Sequence, residues 1–228
     1  ALGGIINIKT LNIVGTELYG QVSPSGDGYR SGLVWGDGQW NVSSLYERDD
    51  NEATRSSYTG RSLVVKRSTE IDSSRQLDIQ LRYSDSDSDA YPDDSGGALF
   101  AVSPKLESRN SVQKQIGANY RAEYDGGSEF SFKTSYSEIA LNVDTPAVLP
   151  GLRDPFGLPA IRSDNHYEAT IVSMSYLSKQ IRNLRILGGV NYERSSGGSN
   201  GIIDIGFELP ASFVLRREQW GVFTEMVW

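Results

Sequence analysis

The stretch Gln76-Leu77-Asp78-Ile79-Gln80-Leu81-Arg82-Tyr83 decides the fold class. Leu77, Ile79, Leu81 and Tyr83 occupy alternate positions, with Gln76, Asp78, Gln80 and Arg82 between them. Successive side chains of an extended strand point to opposite faces, so this octapeptide has one apolar and one polar side. A helix would scatter the same residues around its axis. The pattern recurs over residues 115–124, where Ile116, Ala118, Tyr120, Ala122 and Tyr124 alternate with Gln115, Gly117, Asn119, Arg121 and Glu123. It returns with Phe130, Phe132, Thr134 and Tyr136, with Leu184, Ile186, Gly188, Val190 and Tyr192, and with Trp40, Val42, Ser44 and Tyr46.

Working outward from these segments gives ten strands, at residues 16–23, 29–35, 39–48, 61–69, 75–86, 113–124, 129–140, 165–176, 184–194 and 214–228. Their connections sort into two kinds. Gly36-Asp37-Gly38, residues 69–74, Asp125-Gly126-Gly127-Ser128 and residues 177–183 are short and rich in turn formers. Residues 49–60, 87–112, 141–164 and 195–213 are long. Short turns at one end and long loops at the other describe an outer-membrane β-barrel. Strand length agrees, since a tilted membrane-crossing strand needs about 9–11 residues. Tyr29, Trp35, Trp40, Tyr46, Tyr83, Tyr124, Tyr176, Tyr192, Trp220 and Trp228 fall near strand ends, where an aromatic girdle belongs. The expected fold is all-β, an antiparallel up-and-down meander of about ten strands forming a transmembrane β-barrel or part of one. A soluble β-sandwich is the competing architecture.

Composition closes off other classes. The 228 residues carry 22 Lys+Arg against 29 Asp+Glu, a net charge of -7, which argues against a nucleic-acid surface. There is no cysteine, hence no disulfide framework and no thiolate metal site. The longest run of apolar residues plus glycine, residues 96–102, is far below the about 20 that a spanning helix needs. A mean hydropathy of -0.40 resembles a soluble protein, but an average discards the period.

The opening Ala1-Leu2-Gly3-Gly4-Ile5-Ile6-Asn7-Ile8-Lys9-Thr10 resembles the end of the plug domain in TonB-dependent outer-membrane receptors, with Lys9 where that family often has one more apolar residue. Tyr91-Pro92-Asp93-Asp94-Ser95-Gly96-Gly97 and Leu149-Pro150-Gly151-Leu152-Arg153-Asp154-Pro155 resemble loops of the same family. Trp220-Gly221-Val222-Phe223-Thr224-Glu225-Met226-Val227-Trp228 resembles one of its mid-barrel strands. The resemblance implies active transport across the outer membrane of a Gram-negative bacterium. A scarce ligand such as a ferric siderophore or cobalamin binds outside, and a periplasmic TonB-type protein supplies the energy. It also implies an incomplete chain, with residues 1–13 ending a plug and residues 14–228 beginning a barrel of about 22 strands.

Several constellations invite chemical readings. Gly197-Gly198-Ser199-Asn200-Gly201 fits the G-x-S-x-G pattern, but a nucleophile elbow needs a strand–turn–helix, and this segment reads as a Ser/Gly-rich loop. His166, the only histidine, reads as a barrel-rim residue. Asp85, Asp87, Asp89, Asp93 and Asp94 could form a loose calcium loop; the EF-hand pattern fails because Ala90 and Gly96 stand where Gly and Glu are required. The bland alternative is a solvated acidic loop. In a barrel, Lys66, Arg82, Arg121, Lys133 and Arg185 would line the lumen, as an anionic-ligand path or simply as paired charges. Tyr91, Phe100 and Phe156 in the outer loops, with Arg82 and Arg121 in the lumen, are the candidate ligand contacts. The expected partners are outer-membrane lipid, the energy-transducing protein and a small metal chelate. No catalytic pair is visible, and the chain reads as a transporter rather than an enzyme. A complete ten-stranded pore or enzyme and a soluble binding domain remain the alternatives.

Overall fold

The computed structural model describes residues 14–23, 27–101, 103–151 and 155–227. The plug-like segment 1–13, part of the 149–155 loop motif and Trp228 lie outside them. Ten strands follow one another in space as in sequence: β1 (Val14–Val22), β2 (Gly28–Asp37), β3 (Trp40–Asn51), β4 (Ser56–Asp72), β5 (Arg75–Ala90), β6 (Glu107–Tyr124), β7 (Ser128–Thr145), β8 (Ala160–Leu177), β9 (Arg185–Asp204) and β10 (Glu208–Val227). Every neighbouring pair is antiparallel, so the sheet is a simple meander. Among the described residues the only helix is one 3₁₀ turn, Asp93–Ser95, and none is long and apolar enough to cross a membrane. Among the described residues the sheet is not closed: β1 and β10 each pair on one side only.

The short turns are built as their residues dictate. Asp37 accepts hydrogen bonds from the backbone N–H of Gln39 (2.9 Å) and Trp40 (2.6 Å) across Gly38, whose φ of 92° lies in the left-handed region that favours glycine. Asp72 takes the N–H of Ser74 at 2.9 Å and its hydroxyl at 2.8 Å, beside a register shift between Glu70 and Asp72. These turns hold one end of the sheet.

The other end differs from the sequence-based expectation. β5, β7 and β9 continue through Ala90, Thr145 and Asp204, and β6, β8 and β10 start early to meet them. The connections expected at 87–112, 141–164 and 195–213 shrink to 91–106, 146–159 and 205–207, and that expected at 49–60 shrinks to 52–55. Polar residues dominate both faces of β5 and β6 here, and the apolar residues of β7–β10, such as the Ile161–Ile203–Leu209 row, fall on the face that is polar lower down, so the hydrophobic period of the band does not continue.

Register fixes the two faces. Leu77, Tyr120, Phe132, Met174, Val190 and Val222 form one cross-strand row. Ile79–Ala118 and Leu81–Ile116 form the rows beside it, as expected from the alternation. The intervening residues fall on the opposite face, in rows such as Asp78–Asn119–Lys133–Ser173–Asn191 and Arg82–Gln115–Ser137. On the apolar face Tyr29, Tyr46, Tyr83, Tyr136, Tyr192 and Trp220 border the band toward the long loops. Trp35, Trp40, Tyr120, Tyr124 and Tyr176 lie toward the short turns. Arg67 interrupts this face, with its guanidinium 5.0 Å from the centre of the Trp40 ring.

This sheet has no core of its own. Among the described residues only Ala122, Val148 and Ala169 are buried apolar side chains, whereas Leu81 is 49% and Ile116 48% exposed. The accessible surface is 16094 Å² for 25.1 kDa, against roughly 10,000 Å² for a compact monomer of that mass. A continuous apolar face of this extent requires a covering phase.

Candidate functional site

The polar face is the first part of the site. Lys66, Gln80 and Gly117 share one row, and Gln76, Arg121 and Ser131 another. Arg121 is tied to Glu129 at 3.2 Å, while Arg82 forms no ion pair with a described carboxylate and is exposed. The two arginines are not neighbours. Arg121 lies opposite Gln76, six residues along β5 from Arg82, which is about 20 Å at the strand rise. They mark two levels of one wall rather than one pocket.

Aromatic rings on this face have a consistent use. Tyr19, Tyr58 and Tyr167, the strand tyrosines that do not face the apolar side, each lie against a glycine: Gly32, Gly60 and Gly197. Phe223 does the same over Gly189. The absent side chain lets the ring lie flat on the sheet, which covers the glycine backbone. The wall is thereby smoothed without adding charge.

The second part is the loop end. Tyr91 follows β5, and the Arg55 guanidinium sits 6.0 Å from its ring centre while donating to the Pro104 carbonyl at 2.6 Å. This links the β3–β4 turn to segment 91–106, which also carries Phe100, 56% exposed. Phe156, 91% exposed, lies on the separate segment 146–159. Tyr91, Phe100 and Phe156 therefore share an end of the sheet with one another, and neither arginine joins them: Arg82 is nine residues before Tyr91.

The acidic run does not gather. Asp85, Asp87 and Asp89 are alternate residues of β5, about 7 Å apart by strand geometry, and all face the apolar side's continuation. Each has its own partner: Arg61 at 3.8 Å, Asn110 at 2.6 Å and Ser57 at 3.2 Å. Asp93 and Asp94 lie in the 3₁₀ turn beyond. No group of three or more metal-ligating side chains occurs among the described residues. An extended backbone holds the three strand carboxylates of Asp85, Asp87 and Asp89 apart along β5. Gly197-Gly198-Ser199-Asn200-Gly201 is likewise not a loop but part of β9, with Ser199 between Asn165 and Phe213, so the elbow geometry is absent there. His166 stands on β8 opposite Ala140 and Gly198, above the apolar band.

Sequence reasoning missed one cluster. Glu107 is buried at the start of β6, accepts the Thr145 hydroxyl at 2.8 Å and pairs with Arg109. The only sequence signal was an acid two residues from an arginine, which alternation produces in many places.

No protein-family model matches this chain, and the search of curated proteins returns no match. Among solved structures, the chain is similar to the ferric yersiniabactin uptake receptor FyuA from Yersinia pestis, at 12% identity and a TM-score of 0.47. That likeness covers 95% of this chain and 44% of the receptor, so the chain spans less than half the receptor's length.

Proposed function

We propose that this chain is a sector of an outer-membrane β-barrel receptor that takes up a scarce ligand, such as a ferric siderophore or cobalamin, with energy from a periplasmic TonB-type partner. The carrying observation is the two-faced sheet: an apolar band edged by Tyr and Trp on one side, and a face of Gln, Asn, Ser, Lys and Arg on the other. Lipid covers the first and a wet lumen the second. Irregular segments 91–106 and 146–159 stand at one end, where an external ligand would meet Tyr91, Phe100 and Phe156. Below them Lys66, Arg82, Arg121 and Lys133 give the lumen cationic stations for an anionic chelate. The chemistry is binding and passage, not bond breaking.

The test is fractionation and uptake. Cells expressing the protein should hold it in the outer membrane with heat-modifiable gel migration. They should accumulate a labelled ferric siderophore or cobalamin only while the inner membrane is energised. Recovery as a monodisperse soluble protein without detergent would refute the reading.

A further inference from the structure

The four short turns are not alike. Three carry an aspartate: Asp37 at the β2–β3 turn, Asp72 at the β4–β5 turn and Asp125 at the β6–β7 turn. The β8–β9 connection, residues 178–184, is the exception. It holds Lys179 and Arg182, with Arg185 at its foot, and residues 169–192 contain no acid in a chain of net charge -7. Lys179 and Arg182 are exposed, and neither forms an ion pair with a described carboxylate. Outward cations elsewhere at this end are occupied: Arg75 pairs with Asp72 at 3.2 Å, and Arg67 lies over the Trp40 ring.

The β8–β9 turn is held in shape. Ile181 and Leu184 exchange both backbone hydrogen bonds, at 3.0 and 3.1 Å, around the two-residue tip Arg182-Asn183. The Gln180 side chain donates to the Arg182 carbonyl at 2.9 Å, and Ser178 Oγ accepts the Ile186 N–H at 2.8 Å. Arg185 donates to the carbonyls of Ser178 and Gly127, which ties the turn to its neighbour, and the Lys179 stem lies over Gly126. Arg182 has a φ of 57°, the left-handed conformation that favours glycine at the first position of such a tip. An arginine held where glycine would be unstrained points to a use for its side chain.

The apolar residues of the turn face the lipid side. Leu184 follows the parity of Ile186, which pairs with Met226 in the outward set. Ile181, as the hydrogen-bonded partner of Leu184, shares its face. Ile181 is 63% exposed. The apolar band thus runs past Tyr176 to the tip of this turn, with the cations at its border. What adjoins hydrocarbon at that level is the headgroup layer, where Lys and Arg reach phosphate while their stems stay in apolar surroundings.

We propose that the β8–β9 turn is a clamp for an anionic phospholipid of the periplasmic leaflet. Ile181 and Leu184 lie against its acyl chains, and Lys179 and Arg182 hold its phosphate through charge-assisted hydrogen bonds. A zwitterionic headgroup brings its own ammonium, which the two unpaired cations repel, so the clamp favours a lipid of net negative charge. Inorganic phosphate would gain nothing from Ile181. The inference rests on the outer-membrane reading, with the short turns facing the periplasm.

The experiment uses the protein purified from its own outer membrane in mild detergent. Phosphatidylglycerol and phosphatidylethanolamine with matched acyl chains compete for it in equimolar amounts, and native mass spectrometry counts what stays bound. Each cation near an anionic surface contributes roughly fivefold, so wild type should prefer phosphatidylglycerol about thirtyfold. K179Q/R182G should bring the two lipids close to parity. R182G alone should lose about fivefold while its turn keeps its shape, read as unchanged amide exchange at Leu184. K179Q, which leaves the tip untouched, should lose as much, and R48Q, at the opposite end of the sheet, should change nothing. Four results would overturn the clamp: a wild type without preference, a K179Q/R182G variant that keeps it, an equal loss in R48Q, or complete displacement of the lipid by millimolar inorganic phosphate. Heat-modifiable protein in the outer membrane would leave the barrel reading standing in each case. A wild type absent from that membrane would overturn both.

Discussion

Gly189→Ala and Gly32→Ala look like the same change, yet the structure separates their consequences. Both glycines lie in strands beneath an aromatic ring, and neither has a positive φ. A Cβ on Gly32 would meet the Tyr19 ring, its Cζ and hydroxyl at 2.4 Å. Those atoms are the far end of a side chain on the sheet's short outer strand, where the ring can swing into open space. A Cβ on Gly189 would meet the Phe223 ring at 2.5 Å and also the Met174 carbonyl oxygen at 2.5 Å. The carbonyl belongs to the backbone of β8, which is paired on both sides, so relief requires moving a strand. Overpacking of this kind costs about 1–3 kcal/mol. Replacing glycine by alanine returns about 0.4–1 kcal/mol through the unfolded chain. The net expectation is a loss of about 1–2 kcal/mol for Gly189→Ala and a change within about 1 kcal/mol for Gly32→Ala. Adding Phe223→Leu should recover only part of the loss, because the carbonyl contact remains. Urea titration of the detergent-folded protein, followed by tryptophan fluorescence and heat-modifiable migration, measures both. A Gly32→Ala cost above that of Gly189→Ala, or full recovery in the double variant, would refute the reasoning.

Ile79→Arg should destabilise by about 2–4 kcal/mol when its position lies near the bilayer midplane, whereas Gln80→Arg, one residue on and facing the lumen, should cost under about 1 kcal/mol; unfolding in lipid vesicles decides. Protease added to intact cells should cut within residues 91–106 and 146–159 but spare residues 196–201, which mass spectrometry of the fragments will show. Backbone N–H groups of Trp40 and Gln39 hold the Asp37 carboxyl below its usual range, and the N–H and hydroxyl of Ser74 do the same for Asp72. A folded-state pKa below the unfolded one gives stability that is present above the ordinary carboxylate value near 3.9 and lost as pH falls through the folded value. Amide protection at both turns, measured as exchange relative to the intrinsic rate at each pH, should therefore fall below about pH 4 and stay flat above about pH 5, and Asp37→Asn should remove the dependence at its turn.

What the sequence made legible was the part where the two faces differ in polarity. Within residues 76–83 one parity is apolar and the other polar, and register confirms the side of each residue there. From Glu193 to Gly201 both parities of β9 are polar or glycine. A period in hydrophobicity vanishes when neither face meets lipid or a core, so the strand read as a loop. Asp87 to Ala90 read as loop for the same reason, since a strand exposed to water on both faces has the composition of a loop. At the candidate site, the face of Arg82 and Arg121 was readable from parity. Their separation was not, because it depends on position along the strand. The Glu107–Arg109–Thr145 cluster depends on pairing between distant strands, which one sequence does not display.

Strand length argues about how the sheet is completed. β1 has 9 residues and β10 has 20. Were they to pair with each other, 20 − 9 = 11 residues of β10 would still lack a partner. A 20-residue strand is about 66 Å long, and with a tilt near 40° it rises about 50 Å, against a hydrocarbon layer of about 30 Å. Water can satisfy unpaired N–H and C=O groups beyond the layer, but within it each costs several kcal/mol. Pairing β1 with β10 would at most cover the spanning portion and leave a wall about 20 Å high with a ragged seam. The strands from β4 to β10 all have 16 to 20 residues and support one another across that height. Pairing with β1 therefore leaves more than half of the β10 edge without a strand beside it.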